Sequence, residues 1–167
     1  GFFTMELVDG ARTIVEVARG AAAPAGGVRE TFRQLASALA ALHEAGWLHR
    51  DLKPSNVLVD AQGRLVLLDF GLVRGRGREH LERTQVGTVV GTLGSMSPEQ
   101  ALGRSLSAAS DWYSFGVLLY ECLAGRSPFA GASAASLLDR SRLVFPPASA
   151  FAPECPADLS ELAGALL

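Results

Sequence analysis

His49-Arg50-Asp51-Leu52-Lys53-Pro54-Ser55-Asn56 is the stretch on which the reading of this chain turns. It places an acid, a lysine, a proline and an amide in one short run, after a helical pattern and before an apolar one. Pro54 disfavours helical geometry at Lys53, so Asp51 and Asn56 are expected on an extended, stiffened loop. Downstream, Asn56-Val57-Leu58-Val59-Asp60 and Arg64-Leu65-Val66-Leu67-Leu68-Asp69 flank Ala61-Gln62-Gly63. Two short apolar runs around a polar turn predict a β-hairpin. Its two outer ends bring Asn56 and Asp69 to neighbouring places. An amide oxygen converging with a carboxylate makes a hard-oxygen site suited to Mg²⁺. Asp51 lies nearby without needing to be a ligand, free to accept a proton. Lys53 is the only lysine of the chain and is placed to neutralise a phosphate.

The composition excludes several alternatives. The chain has 167 residues, 49% hydrophobic and 19% charged, with a formal net charge of -2. That is enough for a packed core and too apolar for a disordered segment. No overall basic footprint points to nucleic acid. Arg74-Gly75-Arg76-Gly77-Arg78 lacks the interleaved aromatics of a single-strand binder, so it reads as a solvated loop. Cys122 and Cys155 form no metal-binding pair; they are expected to be buried free thiols, with a single disulfide between them as the alternative. The longest clean apolar run, Phe115 to Tyr120, is far short of a membrane span. Gly1-Phe2-Phe3 lacks the basic region of a signal peptide. A cytoplasmic segment without membrane contact is therefore expected, with an anchor allowed elsewhere in the parent chain.

Around the central run, periodicity predicts the remaining elements. Phe2 to Val8 reads as a buried strand ending at Asp9-Gly10, and Ala11 to Ala18 as a short helix. Gly20 to Gly27 reads as a linker. Val28, Phe32, Leu35, Leu39 and Leu42 fall on one face of a 3.6-residue period, ended by Gly46. Gly71 to Ser95 reads as a long functional loop. Ser110 is the expected N-cap of a helix over Asp111 to Ala124, apolar on nearly all sides and so buried, with Gly125 closing it. Two more helices are expected near Ala132 to Arg140 and Ala157 to Leu167.

With these residues in view, the chain resembles the eukaryotic-type (Hanks-type) protein kinase family, on its serine/threonine branch. His49 to Asn56 matches the catalytic-loop motif HRDLxxxN, and Asp69-Phe70-Gly71 matches DFG. Ser97-Pro98-Glu99 stands where the family has Ala-Pro-Glu. Ser110-Asp111-Trp112-Tyr113-Ser114-Phe115-Gly116 resembles the start of the long buried helix of the large lobe. Phe2 to Gly10 looks like the hinge strand, with Met5 as gatekeeper. The order and spacing agree over nearly the whole chain. The Ala/Arg bias and the Ser-Pro-Glu-Gln run look bacterial.

The resemblance implies an α+β, protein kinase-like fold. It would be a mainly helical large lobe with a small β-hairpin at the catalytic cleft. Residues 1–10 would be hinge strand and linker, and residues 11–167 the large lobe, cut at its C-terminal end. It implies transfer of the γ-phosphate of ATP to Ser or Thr hydroxyls of protein substrates, with Mg²⁺ or Mn²⁺. Asp51 would accept the substrate hydroxyl proton, and Asn56 and Asp69 would hold the metal ions. Lys53 would steady the γ-phosphate, and Thr92 would contact Asp51 and Lys53 from the substrate-binding loop. Met5, Glu6, Val8 and Leu58 would surround the adenine, and Lys53, Ser55, Asn56 and Asp69 would face the rest of the nucleotide. Arg50 would collect a phosphate placed on Thr84 or Thr88. Glu99 would pair with an arginine of a later helix, beyond this chain. His49 would be a packed, structural histidine near Phe70.

Departures from the family pattern bear on activity. The sequence contains no glycine-rich phosphate loop, no Val-Ala-Ile-Lys strand and no helix supplying the glutamate partner of that lysine. Ser95 stands where the substrate-binding loop has Tyr or Phe. The expectation is a large-lobe segment without its small lobe, inactive by itself, the small lobe being supplied by the parent chain. A non-catalytic pseudokinase-like binding module is the alternative, although Asp51, Asn56 and Asp69 are all present. A phosphotransferase acting on small molecules is a third reading, less favoured by Lys53-Pro54-Ser55 and Ser-Pro-Glu.

Overall fold

A computed structural model describes residues 8–20, 27–69, 93–139 and 143–167. The strand read over Phe2 to Val8 lies outside these residues except for Val8. Most of the linker and of the Gly71 to Ser95 loop lie outside them as well. Residues 93–95, at the end of that loop reading, are helical.

The chain first forms β1 (Arg12–Thr13), which runs directly into α1 (Ile14–Arg19). The helix expected from Ala11 therefore starts three residues later, and its approach is a strand. Thr13 and Glu16 explain the switch. The Thr13 N–H donates to Glu16 Oε2 at 2.7 Å, and the Glu16 N–H donates to Thr13 Oγ1 at 3.3 Å. This reciprocal cap satisfies donors at the helix N-terminus. It also holds the Glu16 carboxyl below its usual range, the Thr13 backbone hydrogen bond contributing most.

The hairpin forms as expected from β2 (Val57–Val59) and β3 (Leu65–Leu67), with Val57 opposite Leu67 and Val59 opposite Leu65. Its turn is closed by the Asp60 carboxylate, which accepts the N–H groups of Gln62 and Arg64 at 3.0 and 2.9 Å. Gly63 takes a φ of 83°, open to glycine at little cost. β1 pairs antiparallel with β2, Arg12 opposite Val59 and Thr13 opposite Leu58, so the sheet order is β1-β2-β3. This third strand escaped the sequence reading because two residues carry no alternation to detect.

α2 (Gly27–Glu44) turns Phe32, Leu35 and Leu39 into the core, on the face the periodicity indicated. It closes at Gly46, whose φ is 78°, with the Trp47 N–H bonded back to the Leu42 carbonyl at 3.0 Å. A short helix, α3 (Pro98–Ala101), precedes the most deeply buried element, α4 (Ala108–Ala124). The cap of α4 lies three residues before the expected one. Ser107 is the N-cap, and Ser110, one turn inside, accepts the Ser107 N–H on its hydroxyl at 3.2 Å. Gly125 ends α4 at a φ of 70°. α5 (Ala134–Leu138) is shorter than read, and α6 (Ala157–Leu166) falls where expected.

α4 is the hub of the packing. Phe115 meets the ring of Phe32 from α2 edge-on, centroids 5.3 Å apart. Leu118, Leu119 and Leu123 extend the same core towards Ile14, Leu52, Val57, Leu159 and Ala163. A second cluster, Leu93, Tyr113, Val117, Phe129 and Leu137, fixes the segment before α3 and the α5 turn to the other side of α4. α6 crosses α4 so closely that a Cβ at Gly116 would lie 2.6 Å from Leu166 Cβ. Both cysteines are free thiols, as expected, but only Cys122 is buried; Cys155 is partly exposed. The outcome is the helical lobe with a small sheet at one edge that the sequence implied, the sheet being three-stranded.

Candidate active site

The run His49 to Asn56 leaves α2, crosses the N-terminal end of α4, and enters β2 through a short 3₁₀ turn, Pro54–Asn56. Asn56 is thus on a turn rather than on extended chain. This loop is neither helix nor strand, so its backbone donors need other partners. Asp111, in the first turn of α4, supplies several of them. Its Oδ2 accepts the His49 N–H at 2.8 Å and lies 2.8 Å from His43 Nε2, and its Oδ1 accepts the Arg50 N–H at 2.8 Å. The Asp111 side chain is 2% exposed. A buried carboxylate is tolerated only when its oxygens are satisfied in this way.

Arg50 needs that support. Its φ of 68° is uncommon for a residue with a long side chain, at a cost on the order of 1–3 kcal/mol. The left-handed turn is gripped on both sides. Asp111 holds the Arg50 N–H, and Gln100 Nε2 of α3 donates to the Arg50 carbonyl at 2.6 Å.

His49 lies under the loop, 1% exposed. Its Nε2 is 3.0 Å from the Leu68 carbonyl, which can only accept, so Nε2 carries the proton. That leaves Nδ1 as the acceptor for the Asp51 N–H at 3.3 Å. The ring is therefore the neutral Nε2–H tautomer. Burial pushes its pKa below the usual imidazole value, against the opposing influence of Asp111, the Leu68 carbonyl, Asp51 and Asp69. His49 is buried and hydrogen-bonded as expected, with Leu68 as its carbonyl partner; Phe70, beside which it was expected, lies outside the described residues.

Asp51, Lys53 and Asn56 come together. Lys53 Nζ donates to Asp51 Oδ2 at 2.7 Å. Asn56 Nδ2 donates to the same Oδ2 at 3.0 Å and to the Asp51 carbonyl at 2.8 Å. With both contacts made by its nitrogen, the Asn56 amide is pinned and its oxygen turned away from Asp51, 3.5 Å from the Ser55 hydroxyl. Asn56 is buried, whereas Asp51 and Lys53 are half-exposed. Across the hairpin the Leu68 N–H donates to the Asn56 carbonyl at 2.9 Å, so Leu68 stands opposite Asn56 and Asp69 follows one residue beyond that pair. Asp69 is exposed, with a φ of 53°. Among the described residues no hydrogen bond joins its carboxylate to the Asp51 group. Amide and carboxylate oxygens at neighbouring hairpin ends are the donor types a magnesium ion takes.

The other candidate residues divide. Leu58 is half-buried on β2, Val8 is half-buried, and Ser55 and Arg50 are exposed. Met5, Glu6, Thr84, Thr88 and Thr92 lie outside the described residues. Glu99, for which the resemblance implies an arginine partner, accepts a hydrogen bond from the Ser110 hydroxyl. Asp111, Gln100 and His43 were not singled out from the sequence as site residues. The signal for Asp111 is an acid at the start of a mainly apolar helix, which has to be paired when buried. Gln100 carries no such signal.

Comparison with known proteins gives this arrangement its class. The model of the protein kinase domain matches residues 2–166. The chain belongs to the protein kinase family. It is 38% identical over 162 residues to the serine/threonine-protein kinase PknL of Mycobacterium tuberculosis, covering 96% of this chain and 40% of that protein. It is 40% identical over 136 residues to the serine/threonine-protein kinases PknA of Corynebacterium glutamicum, covering 81% of this chain and 29% of the relative. Serine/threonine-protein kinase pkn2 of Myxococcus xanthus is 43% identical over 131 residues, 76% of this chain and 16% of the relative. These relatives place the chain with the Hanks-type serine/threonine kinases and agree with the bacterial source read from its composition. The chain spans two fifths or less of the length of each of these three.

Proposed function

We propose that this segment is the catalytic lobe of a protein serine/threonine kinase that moves the γ-phosphate of ATP to Ser or Thr hydroxyls of proteins. The observation that carries the proposal is the hydrogen-bonded group Asp51–Lys53–Asn56, held at the mouth of the hairpin whose other end is Asp69. Asp51 accepts the hydroxyl proton as the oxygen attacks. Phosphoryl transfer makes few covalent demands on a protein, so positioning and charge compensation supply most of the acceleration. Lys53 orients the Asp51 carboxylate and offers positive charge to the transferring group. Asn56 and Asp69 provide the oxygens for Mg²⁺, which when bound neutralises the phosphates. Met5, Glu6, Val8 and Leu58 receive the adenine, Ser55 borders the nucleotide, and Thr92 meets Asp51 and Lys53 from the substrate side.

Arg50 is exposed beside Asp51 and is assigned to a phosphate on Thr84 or Thr88. Equal activity of a Thr84→Ala, Thr88→Ala double variant and the parent would remove that assignment. The 167 residues contain neither a glycine-rich loop nor a second lysine to anchor ATP. The segment alone is accordingly proposed to be nearly inactive, its small lobe coming from the parent chain. No helix among the described residues is long and apolar enough to cross a membrane.

The decisive experiment is a Mg-ATP phosphorylation assay on the full-length protein carrying this segment, parent against Asp51→Asn. Activity in the parent and its loss in the variant supports the kinase. No activity in either favours the pseudokinase-like binding module.

A further inference from the structure

Gln100 joins two parts of the lobe with one side chain. Its Oε1 accepts the Ser97 N–H at 3.0 Å, while the Ser97 hydroxyl accepts the Gln100 N–H at 3.3 Å, which caps α3. The remaining end of the amide, Nε2, crosses to the catalytic loop and donates to the Arg50 carbonyl at 2.6 Å. That carbonyl belongs to the same planar peptide unit as the Asp51 N–H, which donates to His49 Nδ1 at 3.3 Å. The peptide unit entering Asp51 is thus held at both edges, by Gln100 on its oxygen and by His49 on its hydrogen. A planar unit fixed at two opposite atoms cannot rotate about the Cα–Cα axis without breaking one of them. Its rotation sets the direction in which the Asp51 side chain leaves the backbone.

We propose that Gln100 is a positioning residue for phosphoryl transfer: by clamping the Arg50 carbonyl from α3 it sets the orientation of the Asp51 peptide and so of its carboxylate. This rests on the kinase reading above and adds to it a link between the α3 segment and the catalytic acid. α3 follows residues 93–95, which are tied to α4 through the Ser114 hydroxyl donating to the Ser95 carbonyl at 2.9 Å. The clamp therefore starts from a segment anchored on the most deeply buried helix of the lobe.

Gln100→Glu separates the two jobs of the side chain. A glutamate can still accept the Ser97 N–H, so the cap of α3 survives. It offers no N–H to the Arg50 carbonyl and sets a carboxylate oxygen against it. Gln100→Ala removes both. In the full-length protein, Gln100→Glu is expected to lower kcat about tenfold, because small misplacements of a reacting group are expensive. KM for ATP is expected to stay at the parent value, and the thermal midpoint to fall clearly less than in Gln100→Ala. Hydrogen exchange of the Asp51 amide should become faster in the same variant. A kcat within about twofold of the parent, or a thermal midpoint lowered as far as in Gln100→Ala, overturns the proposal. If the parent itself shows no Mg-ATP-dependent activity, the kinase reading fails and the clamp is judged by exchange alone. Faster exchange at Asp51 in Gln100→Glu then supports it, and unchanged protection refutes it.

Discussion

Replacing Asp111 with asparagine is the sharpest test of how the catalytic loop is held. The two side chains have the same shape, so the change is one of hydrogen bonding alone. The carboxylate accepts the N–H groups of His49 and Arg50 and contacts His43 Nε2, each at 2.8 Å. Asparagine has one acceptor oxygen and one donor nitrogen. Its best orientation places the oxygen where Oδ2 was, keeping the His43 and His49 contacts as neutral hydrogen bonds. Bonds to a charged group contribute ~1.5–3 kcal/mol and neutral ones ~0.5–1.5, so these two weaken by about 1 kcal/mol each. The amide nitrogen then faces the Arg50 N–H, donor against donor. Leaving that backbone group unsatisfied costs a further ~1–3 kcal/mol. The sum is about 3–5 kcal/mol, or a fall in thermal midpoint of roughly 6–20 °C for a chain of this size. Thermal unfolding followed by circular dichroism measures the loss, and hydrogen exchange at the His49 and Arg50 amides locates it. A midpoint within about 2 °C of the parent, or unchanged protection at both amides, would refute the reasoning.

Three further outcomes follow from other parts of the fold. Gly116→Ala should destabilise by about 1–3 kcal/mol in denaturant titration, since the new Cβ would lie 2.6 Å from Leu166 Cβ with no flexible chain end to move aside; a neutral result would mean that α6 is free to shift. Thr13→Ala should cost about 1 kcal/mol by removing the α1 cap, again read by denaturant titration, whereas Thr13→Ser should retain most of it. His49 makes stability depend on pH. Its folded pKa lies below the ordinary value, so the unfolded chain takes up the proton first as pH falls. Its contribution is present above about pH 6.5 and declines as pH drops from there towards the folded value. Denaturant midpoints measured between about pH 7.5 and 5.5 should fall more steeply for the parent than for His49→Gln, and parallel slopes would contradict the buried neutral tautomer.

The elements legible in the sequence were those whose periodicity spans several residues. α2 displays its core face over four turns, and the hairpin combines two apolar runs with a turn whose Asp60 and Gly63 have evident roles. β1 was illegible because it exists only by pairing with β2. The start of α4 was misplaced because Ser107 and Ser110 are both good cap residues, and only the backbone decides between them. The chemistry-bearing residues around Asp51 were legible as a motif, since side chains have letters. What holds them was not, since the partners of Asp111, Gln100 and His49 are backbone N–H and C=O groups. Gly116 stands in the sequence only as the last residue of the Ser110 to Gly116 stretch. In the structure it is the place where α6 reaches α4.

These holding contacts share a direction. The catalytic loop has no ladder of its own, and its donors and acceptors are met by side chains from elements that do. Asp111 comes from α4, Gln100 from α3, and His49 bridges to β3 through Leu68. A residue at a φ of 68°, as Arg50 is, relaxes unless its neighbours over-determine it. Here its N–H and its carbonyl are each committed to a different element. Relaxation of Arg50 would therefore have to break the contact to α4, turning the peptide before Arg50, or the contact to α3, turning the peptide that enters Asp51. The loop's geometry is a property of the whole lobe, and under the positioning role proposed for Gln100 a shift of α3 would reach Asp51 through a single peptide plane.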